Sequence, residues 1–178
     1  MPSAAFATIT AREAPAILAP LQSFGPEVRV DRGILHLAVE PGADTRWIGL
    51  VTRDAFRVPL RVEIEVRPVT ELRLRFGAHN RHLVLDQHGA VANDAPWFVT
   101  VDARRGRAVP VVDSRPLAGD EWTLVAFDVD EHEQRLFVNG VLRHTWSEDA
   151  DGVRSRVGIG LRERSLEVRS FRVEPLGR

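Results

Sequence analysis

The feature that most narrows the possible folds is an alternation of side chains with a period of two, clearest in FRVPLRVEIEV, Phe56 to Val66. Val62, Ile64 and Val66 point to one side of an extended chain while Arg61, Glu63 and Glu65 point to the other, which is how a strand with one buried face reads. After a turn around Pro68 to Glu71 the pattern resumes, with Leu72, Leu74 and Phe76 alternating with Arg73 and Arg75. A hairpin pairing Val66 with Leu72 would set Glu65 opposite Arg73 and Glu63 opposite Arg75, so every charge would meet its opposite.

A second hairpin is written in LFV-NG-VLR, where Asn139-Gly140 supplies the two positive-φ positions of a type I′ turn and sets Val138 opposite Val141. The preceding EWTLVAFDVD places Val125, Phe127 and Val129 on one face, and the polar run Asp130 to Gln134 reads as the connecting turn, giving a three-strand meander. Further strands are expected at Val28 to Val39 with a turn at Asp31-Arg32-Gly33, Arg46 to Val51, His82 to Asp86, Trp97 to Asp102, Ala108 to Val112, Arg156 to Leu161 and Leu166 to Glu174. Gly158 and Gly160 alternate with Val157, Ile159 and Leu161, so another backbone can come close there. The last strand changes parity between Val168 and Phe171, which one extra residue near Arg169-Ser170 reconciles as a β-bulge. Helical periodicity is scarce: Pro15 and Pro20 interrupt Ala11 to Leu21, so residues 1–26 read as an irregular lead-in with a possible edge strand. More than ten strands without helices call for two packed antiparallel sheets, here taken as one β-sandwich domain over residues 1–178.

Charge and composition remove several functions. With Lys+Arg 24 against Asp+Glu 25, the chain offers no electrostatic footprint for nucleic acid or an anionic membrane. Every basic residue is arginine, and there is no cysteine for a disulfide, thiolate nucleophile or thiolate zinc site. The start MPSAAFATITAREAPAILAP lacks a basic stretch followed by a continuous apolar one, and no segment is long enough for a membrane span; a natural start at Met1 would favour the cytoplasm. No nucleophile elbow and no phosphate loop can be read.

The stretch EWTLVAFDVDEHEQRLFVNGVLRH, Glu121 to His144, followed by GIGLRERSLEVRSFRVEPL, Gly158 to Leu176, resembles the closing strands of the concanavalin A-like lectin/glucanase superfamily. It is similar in particular to laminin G-like modules and to the bacterial 3-keto-disaccharide hydrolase domain. RWIGLVTRDAFRVPLRVEIEVRP, Arg46 to Pro68, resembles their early strands. The resemblance implies a jelly-roll sandwich with ligands on the concave face or at the loop rim. It leaves lectin, glycosidase and protein-binding module open.

Retaining glucanases of that superfamily carry a Glu-x-Asp-x-(x)-Glu strand whose acid and nucleophile sit about 5 to 5.5 Å apart. The strand taken as corresponding reads Arg61-Val-Glu63-Ile-Glu65, with arginine at the nucleophile position, so Glu63 and Glu65 read as members of an ion-pair ladder with Arg73 and Arg75. His79, His82, Asp86 and His88 cluster in sequence, but a strand from His82 to Asp86 separates its ends by about 13 Å, too far for one ion, which leaves His79 and His82 across a turn as the remaining metal pair beside the reading as surface histidines. A calcium site using Asp94, Asp102 or Asp113 would leave little local signature, so no cofactor is expected while calcium stays open. Sugar sites combine an aromatic platform with planar polar groups. NDAPWF offers that mixture: Trp97 as platform, Asn93 and Asp94 as hydroxyl partners, with His79, Asn80 and Arg75 completing the rim. Trp97 at a strand start also suits a core plug, and Trp122 is read as one. The expectation is a non-catalytic binding module for carbohydrate or a glycan-like ligand. The alternatives are a protein-interaction module, marked by an exposed apolar patch or a self-complementary dimer face, and a sugar-active hydrolase.

Overall fold

The computed structural model describes residues 8–10, 18–20, 26–39, 48–69, 72–76, 81–86, 97–102, 107–110, 121–147, 150–161 and 165–176. In chain order the first strands are β1 (Thr8–Thr10), β2 (Leu18–Pro20), β3 (Glu27–Asp31), β4 (Ile34–Ala38), β5 (Ile48–Thr52) and β6 (Phe56–Arg57). There follow β7 (Leu60–Arg67), β8 (Leu72–Phe76), β9 (Arg81–Asp86), β10 (Trp97–Asp102) and β11 (Arg107–Pro110). The last are β12 (Thr123–Val129), β13 (Glu133–Val138), β14 (Val141–Ser147), β15 (Arg154–Ser155), β16 (Gly158–Leu161) and β17 (Ser165–Pro175).

Fifteen of these strands build two large antiparallel sheets, and β6 and β15 pair as a small third one. One large sheet runs β14-β13-β12-β7-β17-β4-β3, with β1 also paired to β17; the other runs β11-β10-β9-β8-β16-β5-β2. The inward residues of both, among them Leu37, Val62, Ile64, Leu72, Leu74, Phe127, Val138, Ile159 and Phe171, form one buried apolar cluster. Burial of each such side chain contributes about 1.5 to 3 kcal/mol, and this shared layer holds the sheets together. β7 buries every second residue from Leu60 to Val66, as its alternation dictates.

Two hairpins close on positive-φ pairs: Asn139-Gly140 (φ 50 and 77), as expected, and Arg32-Gly33 (φ 47 and 79), where a turn was expected. Val138 stands opposite Val141. Asn139 is tied further: its Oδ1 accepts the Leu124 N–H at 2.9 Å and its own N–H donates to the Leu124 carbonyl at 2.7 Å. The bulge in β17 falls between Val168 and Ser170, so Phe171 and Val173 face the core despite the parity change.

Two expectations fail. β7 and β8 do not form a hairpin: β7 pairs with β12 and β17 in the eight-stranded sheet, and β8 pairs with β9 and β16 in the seven-stranded one. The reason lies at the connection, where Val66, Val69 and Leu72 are all buried. A tight turn would have exposed Val69, whereas Val69 is buried and β7 and β8 belong to different sheets. Trp122 is not a core plug either. It is half-buried on the outer side, with the Arg67 and Arg169 guanidiniums 4.8 and 4.0 Å from its ring centroid.

Candidate functional site

A sandwich offers two outer faces. That of the eight-stranded sheet is filled by ion pairs. Arg61 donates to both oxygens of Asp128, Nε to Oδ1 at 2.6 Å and Nη2 to Oδ2 at 3.0 Å, because β7 and β12 place the two residues side by side. The Asp128 side chain is only 3% exposed. Its hydrogen bond, ahead of its charge, raises the Arg61 guanidinium above the usual arginine range, more than desolvation lowers it. Glu63 accepts from Arg172 at 2.8 Å, Glu65 from Arg169 at 2.8 Å, and Glu167 from Arg67 Nε at 2.9 Å. The ladder expected for Glu63 and Glu65 therefore exists, with arginines of β17 in place of Arg73 and Arg75. Each of these carboxylates is engaged by an arginine, and Arg172 also reaches Glu174 at 3.5 Å. A shallow depression of about 290 Å³ on this face is lined by Arg61, Asp128, Arg135, Glu174, Pro175 and Leu176. It has no aromatic floor, and Arg135 lies 3.3 Å from Glu133 and 4.0 Å from Asp128.

The outer face of the seven-stranded sheet follows from its register. Leu72, Leu74 and Phe76 of β8 are buried, so positions 73 and 75 belong to the outer face. Arg75 stands opposite His82 and Arg73 opposite Val84. His82 and Val84 stand in turn opposite Val101 and Val99, and Asp86 opposite Trp97. On the other side of β8, Arg73 and Arg75 stand opposite Gly160 and Gly158, and these stand opposite Gly49 and Val51 of β5. One face thus carries Trp97, Asp86, His82, Arg73 and Arg75 at register positions beside three glycines.

At Gly49 the backbones crowd. A Cβ on Gly49 would lie 2.4 Å from the Ile159 carbonyl oxygen and 2.8 Å from Gly160 Cα. Thr52 closes the same pair of strands: its hydroxyl donates to the Asp54 carbonyl at 2.8 Å and accepts the Val157 N–H at 3.0 Å.

Of the residues selected from sequence, Trp97 and Arg75 fall at register positions of this face. They stand at opposite ends of it: two strands and four residues of register part them, about 16 Å by strand geometry. His79, Asn80, Asn93 and Asp94 lie outside the described residues, as do His88 and Asp113. Asp102 occupies a core-side position of β10, since its neighbour Val101 stands opposite His82. Among the described residues no group of three His, Cys, Asp or Glu is placed to hold a metal ion. His82 and Asp86, considered from sequence only as metal ligands, share register positions of one face with Trp97 and Arg75; the signal was their even spacing of four residues along β9. Nothing in the local sequence marked Asp128 as the partner of Arg61, because that pairing depends on which strand lies beside β7.

No protein-family model matches the chain, and neither does any curated protein sequence. Solved structures do. A LamA variant from Zobellia galactanivorans, in complex with laminaritriose and laminaritetraose, superposes with a TM-score of 0.61 at 9% identity, covering 97% of this chain and 99% of that one. Bacillus licheniformis β-glucanase gives 0.61 at 10% identity over 88% and 91%, and β-agarase A from Zobellia galactanivorans 0.62 at 8% over 94% and 87%. The fold is the concanavalin A-like jelly roll.

Proposed function

We propose that this chain is a non-catalytic carbohydrate-binding module that takes an extended oligosaccharide along the outer face of its seven-stranded sheet. The observation that carries this reading is the register that puts Trp97 beside Asp86, and His82 beside Arg75, on one face. An aromatic ring suits the C–H face of a pyranose, while carboxylate, imidazole and guanidinium suit its hydroxyls. Because Trp97 and Arg75 stand about 16 Å apart, one ligand that uses both must span several sugars. Structural neighbours caught with laminaritetraose and with agaro-octaose support that class of ligand.

Among the described positions of this face Asp86 is the one carboxylate, where the two-carboxylate route to glycoside cleavage uses a pair. This favours binding over hydrolysis. A glycan array containing laminarin and agarose oligosaccharides, probed with wild type and Trp97→Ala, tests the reading. Binding that Trp97→Ala abolishes supports it; no binding, or binding indifferent to the substitution, defeats it. Release of reducing sugar from the same oligosaccharides would replace it with the hydrolase reading.

A further inference from the structure

The eight-stranded sheet ends at β3, and β3 is exposed at all five of its residues, Glu27 to Asp31. Its valines are unusual for an edge. Val28 and Val30 stand opposite Leu37 and Leu35, both buried, yet are themselves 39% and 37% exposed. The core-side row therefore runs out to the edge and stops in solvent. Among the described residues no strand pairs with the outer side of β3. The two-residue Arg32-Gly33 turn makes Asp31 and Ile34 a hydrogen-bonded pair, so by alternation Glu27, Arg29 and Asp31 bond to β4 while the N–H and C=O groups of Val28 and Val30 point outward. A bare edge of this kind is a template for another strand.

We propose that the edge is an interface for a second copy of this chain, joined antiparallel through β3 about a twofold axis at Val28. Charge fits a second copy, and the turn decides between the two registers that pair opposite charges. Centred on Val30, Arg29 would also face Asp31, but Val28 would then have to pair with Arg32 of the positive-φ turn. Centred on Val28, Glu27 of each copy stands opposite Arg29 of the other, twice over, with the two Val28 backbones exchanging hydrogen bonds. Centred one residue later, Arg29 would face Arg29 and Glu27 would face Asp31, opposing like charges at every outer position. The valines of both copies then form one apolar row that prolongs the core. Pro26, with no N–H to offer, ends the paired stretch. So short a strand buries far less than a stable dimer requires, and the association is accordingly weak and concentration-dependent. The dimer is independent of the glycan-binding reading, because β3 belongs to the other sheet.

Sedimentation of the full chain over a wide concentration range tests it. The wild-type mass should rise from 19.9 kDa toward twice that value and no further. Glu27→Arg and Arg29→Glu each turn both attractive pairs into repulsive ones and should weaken association roughly tenfold or more, with unchanged melting. Mixed in equal amounts, the two variants restore complementary pairs and should associate as wild type does. A wild type that stays monomeric throughout overturns the proposal, and so do single variants that associate normally or a mixture that stays apart. Growth beyond a dimer that Leu142→Arg abolishes also overturns it, since Val141 and Leu142 are the exposed apolar residues of the opposite edge and would then be joining head to tail.

Discussion

Gly49→Ala is the substitution that most sharply probes how the seven-stranded sheet is assembled. The added methyl would stand 2.8 Å from Gly160 Cα and 2.4 Å from the Ile159 oxygen. Carbon atoms in contact prefer about 3.5 to 4.0 Å, so the overlap is about 0.7 Å or more, and it is with backbone, which has no rotamer to turn away. β5 and β16 must separate along the register that pairs Gly158 to Leu161 with Val51 to Ile48. Overpacking typically costs about 1 to 3 kcal/mol, and a backbone collision belongs at the upper end; the stiffer unfolded chain returns about 0.4 to 1 kcal/mol. A net loss of about 2 to 3 kcal/mol lowers Tm by roughly 4 to 12 °C in a domain of this size. Gly33→Ala is the control. Its Cβ meets nothing within 4 Å and adds only the strain of φ +79, about 1 to 2 kcal/mol. Urea and thermal unfolding of both variants should rank Gly49→Ala as clearly worse, and hydrogen exchange should quicken first at the amides of β5 and β16. A Gly49→Ala protein as stable as wild type, or milder than Gly33→Ala, would refute the close approach.

Other substitutions carry signed expectations. Arg32 holds φ 47 in a turn that favours asparagine, so Arg32→Asn should stabilise by about 0.5 to 1 kcal/mol in urea titrations. Thr52→Val keeps the shape but leaves the buried Val157 N–H and the Asp54 carbonyl without their hydroxyl partner, for a loss of about 1 to 3 kcal/mol by calorimetry. A double-mutant cycle on Arg61→Ala and Asp128→Ala should return a coupling of about 1 kcal/mol, since Arg61 is partly exposed. Because the Arg61 guanidinium is raised in the fold, its contribution is fully present below the ordinary arginine range and is lost only as pH climbs through the raised value. The coupling should therefore hold from neutral to mildly alkaline pH, and a loss there would contradict the bidentate pair.

The strands were legible because their signals are local. The alternation in β7, the Asn139-Gly140 and Arg32-Gly33 turns and the parity change in β17 each announce themselves within a few residues. Sheet membership was not legible. Val66-Arg67-Pro68-Val69 reads as the start of a turn, and only the burial of Val69 tells a crossover from a hairpin. The same blindness gave Glu63 and Glu65 the wrong arginines, with residues of β17 more than a hundred positions away supplying the charge. Trp122 shows the limit for single residues: an indole suits a core, yet two guanidiniums give it an outer place. At the candidate site the sequence proposed Trp97 and Arg75 for one rim. The register puts them at positions of one face but about 16 Å apart by strand geometry, a separation that strand pairing sets and the local sequence does not show.

The four tryptophans, Trp47, Trp97, Trp122 and Trp146, supply the most direct test of that face. Each contributes one indole N–H signal to a two-dimensional NMR spectrum, and laminarin or agarose oligosaccharides can be titrated against all four at once. The account predicts that the Trp97 signal shifts in a saturable way together with the backbone amides of Arg75, His82 and Asp86, while Trp122 on the opposite sheet stays still. Shifts centred on Trp122 and the arginines around it, with Trp97 unmoved, would contradict it.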